Sequence, residues 1–390
     1  MRKTLLKGGH VITVDGPERP DTDVLVADGV ITAIGPGLPE LDATVVDASG
    51  YVVTPGLVDA HRHVWQAPLR GLGVDMPMSR YLPEVLGAAL PGYTAADAGR
   101  ATLLGAVEAL DAGVTTVFDW SNATLTPAHT DAVVDAFERS GIRAVVGHGN
   151  AVDEADVRRL AARTGRVTGA LAILGGEYGD WDEAVAQIRL GRELGVVVSM
   201  HAGGPVVRRL HDAGLLGPDL QLVHLNAIPA DDVKLLVAAG AAVVVTPTVE
   251  AVMGHGPSAY GRLADGGGRP ALGVDVVINA TPDLFEPMRD TLRTERLRAG
   301  SAAAPPAATM LRAATIDGAR AVGLADSIGT ITVGKRADLL LLDGLANLTG
   351  ERAGAVVSCL TPANVRTVLV DGHLVKHEGR LLHHDLSALR

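Results

Sequence analysis

A single cysteine, Cys359, stands among 390 residues. No disulfide can therefore close within the chain, and zinc sites assembled from paired cysteines, the Cys-x-x-Cys nucleobase deaminases among them, are excluded. Aromatic residues make up only 3%, which makes Trp65, Trp120, Tyr178 and Trp181 worth noting, although packing is the ordinary role of such side chains. No apolar run approaches the ~20 residues that span a bilayer. Basic residues are outnumbered, 34 Lys and Arg against 45 Asp and Glu, for a net charge of −11. They form no cluster, which disfavours tracking of a nucleic-acid backbone. Near the start, Gly8, Gly9 and His10 break the apolar stretch that a secretory leader needs. The expectation is a cytoplasmic protein acting on a small-molecule substrate as a homo-oligomer, with no nucleic-acid or membrane partner.

The chain is long enough for one large catalytic domain and a small companion. Its first fifty residues read as short strands with turn punctuation, over 5–14, 23–26 and 30–34, with Asp28-Gly29 marking a hairpin. The tail has the same texture, over 337–342 and 366–376, turning at Asp371-Gly372. Between the two ends, apolar strands alternate with amphipathic helices. The strands are expected at 52–58, 114–118, 144–147, 169–174, 196–200, 221–223, 242–245 and 271–274, and eight is the number that closes a (β/α) barrel. Helix starts are signalled by Thr94 with Asp97, Thr126-Pro127, Asp180 with Glu183, and Pro229, and stops by Gly113, Gly141, Gly195 and Gly240.

Chemistry concentrates at the strand ends. His61 and His63 follow an apolar run in Val-Asp-Ala-His-Arg-His. Side chains alternate along a strand, so the two imidazoles share a face on which they can grip one ion, and Arg62 faces the other way. Three later apolar runs end in His201, His224 and Asp275. Ligands delivered from distant strand ends are how a barrel builds one site.

With these residues in place, the chain resembles the amidohydrolase superfamily, in its branch of cytosine, guanine and S-adenosylhomocysteine deaminases and triazine hydrolases. The matching stretches are Val53-Thr-Pro-Gly-Leu-Val-Asp-Ala-His-Arg-His63, Gln66 through Arg70-Gly71, Gly113-Val-Thr-Thr-Val-Phe-Asp119, His201, His224, Leu272-Gly-Val-Asp275 and Gly334-Lys-Arg-Ala-Asp-Leu339. The resemblance implies an α/β fold, a (β/α)8 TIM barrel over 54–327 with a small β-sandwich domain built from both termini, 1–53 and 328–390. It also implies that His61, His63, His201 and Asp275 ligate one divalent metal ion per chain, zinc first and iron or manganese as alternatives. Asp275 would double as the base, and His224 would contact the attacking water or the substrate. Three neutral imidazoles and a carboxylate leave a coordination position open, as catalytic sites require. Two-metal members of the superfamily use a carbamylated lysine at the fourth strand, and no lysine lies between Lys7 and Lys234.

One position departs from the deaminase pattern. Those enzymes carry a proton-shuttling glutamate three residues beyond the fifth-strand histidine, where this chain has Gly204. Glu250, after the seventh strand, is the first choice to replace it. Trp65, Gln66, Asp119, His148, Glu177 and His255 follow strands closely enough to bind substrate, as do Trp120 and Tyr178. Asp59 is expected on the side of His61, deeper in, and Asp283 as a helix cap. The expected function is metal-dependent hydrolysis of a C–N bond in a small nitrogen heterocycle, cyclic amide or amidine. The alternative that Gly204 raises is a non-hydrolytic cyclase or lyase.

Overall fold

The computed structural model describes residues 3–40, 42–149 and 153–389. Residues 1, 2 and 390, at the outer ends of the two terminal segments, lie outside the described residues. Eight parallel strands form one sheet in chain order: Leu57–Arg62, Val114–Ser121, Arg143–Gly149, Val167–Ile173, Val198–Ala202, Leu220–His224, Ala242–Val245 and Ala271–Leu272. These runs are rich in Val and Ala and buried on both faces, as parallel strands covered by helices must be. The eighth strand returns to the first through a parallel bridge between Arg62 and Asp275. His63 N–H donates to the Asp275 carbonyl and Asp275 N–H to the His61 carbonyl, both at 2.9 Å. Gly273 permits this close approach, because a Cβ there would lie 2.7 Å from the His61 carbonyl oxygen.

The helices begin where the side chains ask for it. Thr94 and Asp97 form a reciprocal capping box on Ala95–Asp111, worth about 1 kcal/mol for the cap. Asp180 accepts from Glu183 N–H at the start of Trp181–Leu194, which ends on a left-handed Gly195. Asp283 caps Phe285–Ala299 through the N–H groups of Phe285 and Glu286. Inside the barrel, Phe118, Trp120, Val145, Ala170, Ala172 and Val244 pack together, and the helix Ile316–Ala321 contributes Ala319 and Ala321 to the same cluster.

Both termini meet in a second, nine-stranded mixed sheet with its own core of Leu6, Val24, Val26, Ile31, Val53, Leu339 and Leu369. The segment expected as one strand over 52–58 is two. Val52–Pro55 pairs with Lys3–Val11 and Leu339–Leu342 in the terminal sheet, and Leu57–Arg62 starts the barrel. Asp28-Gly29 and Asp371-Gly372 make the expected turns, all four with positive φ. Arg143, on the third barrel strand and 7% exposed, grips Asp338 through two bonds of 2.8 and 3.2 Å and also bonds Asp371. The Gly334–Leu339 motif therefore bolts the two sheets together through a buried charge network.

Candidate metal centre at the barrel mouth

His61, His63, His201 and Asp275 converge at the end of the barrel where their strands finish. Each presents one donor atom, and all four atoms lie within 4.8 Å of one another. Asp275 Oδ1 is 3.4 Å from Nε2 of both His61 and His63. The His61 ring is fully buried, and neither nitrogen has a hydrogen-bond partner. A buried polar group without a partner is costly, and an ion at the centre of the four donors would remove that cost, so the donor set fits a metal. His63 Nδ1 is 2.9 Å from the Trp120 carbonyl. Donation of that N–H fixes the tautomer and leaves the Nε2 lone pair facing the centre.

The electrostatics suit ligands that must bind deprotonated. Burial, reinforced by the neighbouring His61, pulls the His63 imidazole down to about 4, and burial with His61, His63 and His224 holds His201 well below the usual histidine range. Burial opposes ionisation of Asp275, but the close approach of His61 and the charges of His61, His224 and His63 outweigh it and keep the carboxyl far below its ordinary value. His224 and Asp275 both take positive φ, 78° and 67°. For residues with a Cβ this stores strain of order 1–3 kcal/mol each.

His224 stands beside the tetrad with Nε2 3.9 Å from Asp275 Oδ2. Its Nδ1 faces Glu250 Oε1 at 3.3 Å and the Thr246 hydroxyl at 3.1 Å. Burial works against the charged imidazole, yet the Glu250 bond and the nearby Asp275 charge prevail and raise its pKa. Glu250 is fully buried, and its Oε1 also accepts from Thr246 N–H. The carboxylate expected to take over proton transfer at the mouth thus sits behind His224 and orients it.

The other expected site residues divide. Gln66 is buried close to the tetrad, with its amide donating to Tyr81 Oη at 2.6 Å and Oε1 unpartnered. Trp120 packs its indole 4.9 Å from the His201 ring and 5.6 Å from His63, with Nε1 unpartnered. His255 lies 5.7 Å from the His224 ring and has a buried, unpartnered Nε2. Trp65 is buried against Tyr93 and donates to Asn122 Oδ1, a packing position.

Asp119 and His148 are not brought to the centre. Phe118 and Trp120 point into the barrel, so Asp119 between them points out, where Oδ1 accepts the Val64 N–H at 3.0 Å. His148 likewise faces outward and meets Asp156 at 3.1 Å. Asp59 does not share the side of His61 either. Its carboxylate takes Arg62 Nε at 2.6 Å and Val274 N–H at 3.0 Å, and a register irregularity between Asp59 and Arg62 accounts for the broken alternation.

Asn279 was not foreseen. Both polar atoms of its side chain are buried and unpartnered, four residues beyond Asp275 and beside Ile278, whose carbonyl accepts from Gly71 and Gly73. An amide closing an apolar Val-Val-Ile run is the one sequence signal that could have marked it.

Residues 52–375 match the amidohydrolase family. The chain belongs to that family. It is 33% identical over 371 residues to a 5-methylthioadenosine/S-adenosylhomocysteine deaminase of Halobacterium salinarum, covering 85% of this chain and 83% of the relative. To a 5′-deoxyadenosine deaminase of Methanosarcina mazei it is 28% identical, covering 98% and 94%. The fold superposes on an adenosine deaminase from Xanthomonas campestris with bound zinc at a TM-score of 0.89 and 24% identity, covering 100% of this chain and 96% of that one. Among the described residues no helix is long and apolar enough to cross a membrane. As an amidohydrolase, the protein is a metal-dependent hydrolase of carbon–nitrogen bonds other than peptide bonds.

Proposed function

We propose that the protein binds one zinc ion through His61, His63, His201 and Asp275 and hydrolyses the exocyclic amine of a 6-aminopurine nucleoside that carries no phosphate, releasing ammonia. The observation that carries this reading is the tetrad itself, four donors within 4.8 Å with His61 lacking any hydrogen-bond partner. The relatives' names supply the substrate class. The overall charge of −11 favours a neutral nucleoside over a nucleotide.

A divalent ion held by the tetrad would lower the pKa of a coordinated water to ~7. Asp275, ionised and with Oδ2 turned toward His224 and Thr246, takes the proton that the attacking water gives up. His224, fixed at Nδ1 by Glu250 and Thr246, presents Nε2 to the oxygen that adds to the ring carbon. Gln66 Oε1, Trp120 Nε1, His255 Nε2 and the Asn279 amide are polar atoms left for ligand groups.

One ion per chain follows from a ligand set complete for a single site and from the gap in lysines between Lys7 and Lys234. The non-hydrolytic cyclase or lyase is not favoured, since the relatives are named as deaminases. The test is to load the purified protein with zinc, supply adenosine, 5′-deoxyadenosine, 5′-methylthioadenosine and S-adenosylhomocysteine in water carrying an oxygen isotope, and measure ammonia and isotope in the product. Ammonia with isotope at the ring carbon is expected. No ammonia from any of the four, or a product free of isotope, would overturn the reading.

A further inference from the structure

Hydrolysis of an amidine carbon needs a group that can hold a proton in two places, first at the ring nitrogen and later at the added oxygen. Asp275 is committed to the attacking water, Glu250 is buried behind His224, and Asp119 and His148 face out of the barrel. The loop after the fourth strand supplies another carboxylate. Glu177 lies on a single helical turn, Gly175–Tyr178, and reaches across to the loop that follows His201.

That loop is shaped to receive it. A Cβ on Gly203 would lie 2.5 Å from Glu177 Oε1, so the carboxylate occupies the space that any side chain at 203 would fill. Glu177 Oε2 accepts the Gly204 N–H at 3.4 Å, a long bond that leaves the group free to turn toward a ligand. Gly204 itself, at φ 141°, cannot carry a side chain, because its Cβ would meet the backbone nitrogen of Ile228 at 2.5 Å. The seat is pinned on its far side by Ala227 N–H, which donates to the Gly203 carbonyl at 2.7 Å, three residues beyond His224. Glu177 is thereby held at the junction of the loops that carry His201 and His224.

We propose that Glu177 is the proton carrier of the reaction, entering over Gly203 from the fourth strand. The C–O bond forms as Asp275 takes one proton of water and Glu177 gives its own to the ring nitrogen. The C–N bond breaks as Asp275 returns its proton to the departing amine and Glu177 recovers one from the added hydroxyl. Water supplies the oxygen and two hydrogens, and both carboxyl groups end as they began.

This rests on the hydrolytic reading above, and the experiment separates the two. Glu177→Gln and Gly203→Ala are compared with the parent for kcat, KM and zinc content. Affinity for inosine, the deaminated ring, is measured by calorimetry in two buffers of different ionisation heat. Gly203→Ala keeps every carboxylate of the chain, and only the flexible end of Glu177 has to give way to its methyl. Both variants are expected to lose ~10²- to 10⁴-fold in kcat, to keep their zinc, and to lose proton-linked affinity for inosine. Parent-like kcat, within about threefold, in either variant overturns the proposal. Should the zinc-loaded parent release no ammonia, the hydrolytic reading fails and this proposal falls with it, whereas ammonia from the parent with kcat kept in either variant overturns this proposal alone.

Discussion

On the inner face of the barrel mouth, His61 is fully buried and neither ring nitrogen has a hydrogen-bond partner. One residue on, Arg62 is as deeply buried, yet its guanidinium bonds the Asp59 carboxylate and the Pro282 carbonyl at 2.6 Å each. The second strand repeats the contrast in part. Trp120 carries an unpartnered Nε1 inward, and Asp119, turned outward, spends one carboxylate oxygen on the Val64 N–H and leaves the other buried without a partner. Burial alone therefore does not distinguish a ligand-binding residue from a brace. The distinction lies in whether unused polar atoms gather on one centre, as the four donors of the tetrad do within 4.8 Å of one another, because a chain tolerates unsatisfied buried donors or acceptors where something else will satisfy them.

The strongest way to break the comparison is at His61 or Asp275. Alanine at either is expected to bring activity to background and metal content well below one ion per chain by elemental analysis. Full activity, or undiminished metal, in both would sink the ligand assignment. On the outer face, Arg62→Ala leaves Asp59 charged and unpaired and is expected to cost about 3–5 kcal/mol of stability, read from urea unfolding of the metal-free protein. A loss below about 1 kcal/mol would mean that the outer pair is no brace.

Glu250→Gln sharpens the middle case, a residue that acts through another. It is expected to lower kcat about 10- to 100-fold, as loss of an orienting partner does, with KM little changed. An unaltered kcat would show that Thr246 alone suffices to hold His224.

The smallest effect concerns Asp119, whose carboxyl burial pushes up to about 7. Its folded value lies above the unfolded value of ~3.9, so the stability it contributes is complete below that unfolded value and is lost as pH rises through about 7. Asp119→Asn should flatten this part of the decline in unfolding free energy between about pH 4 and pH 7. A slope identical to the parent's would count against it.

Much of the fold was legible, since Val-rich runs at regular spacing, capping residues and Asp-Gly turns are local signals. The two inner histidines were legible because a spacing of two fixes a shared face. Strand ends revealed that Asp119 and His148 lie near the mouth but not which way they point, which depends on the pairing register. Alternation also failed at Asp59, where the irregularity before Arg62 shifts the pattern. The direction in which the loop after the seventh strand turns was equally invisible, so Glu250 could be placed near His224 but not behind it. Asn279 is not legible by pattern, because one amide in an irregular segment carries no period.

The seam between the first and eighth strands has a further consequence, for the order of assembly. Asp59 and Val274, which bond across it, are 215 residues apart in the chain, and contacts of such separation carry the greatest loop-closure cost. Closing the barrel and completing the proposed ligand set are the same event, since Asp275 supplies both the seam's backbone bonds and the fourth candidate donor. A nascent chain that ends before Gly273 holds three histidines on unclosed strands. On the proposed ligand set, capture of an ion by all four donors must wait until the ribosome has delivered the eighth strand.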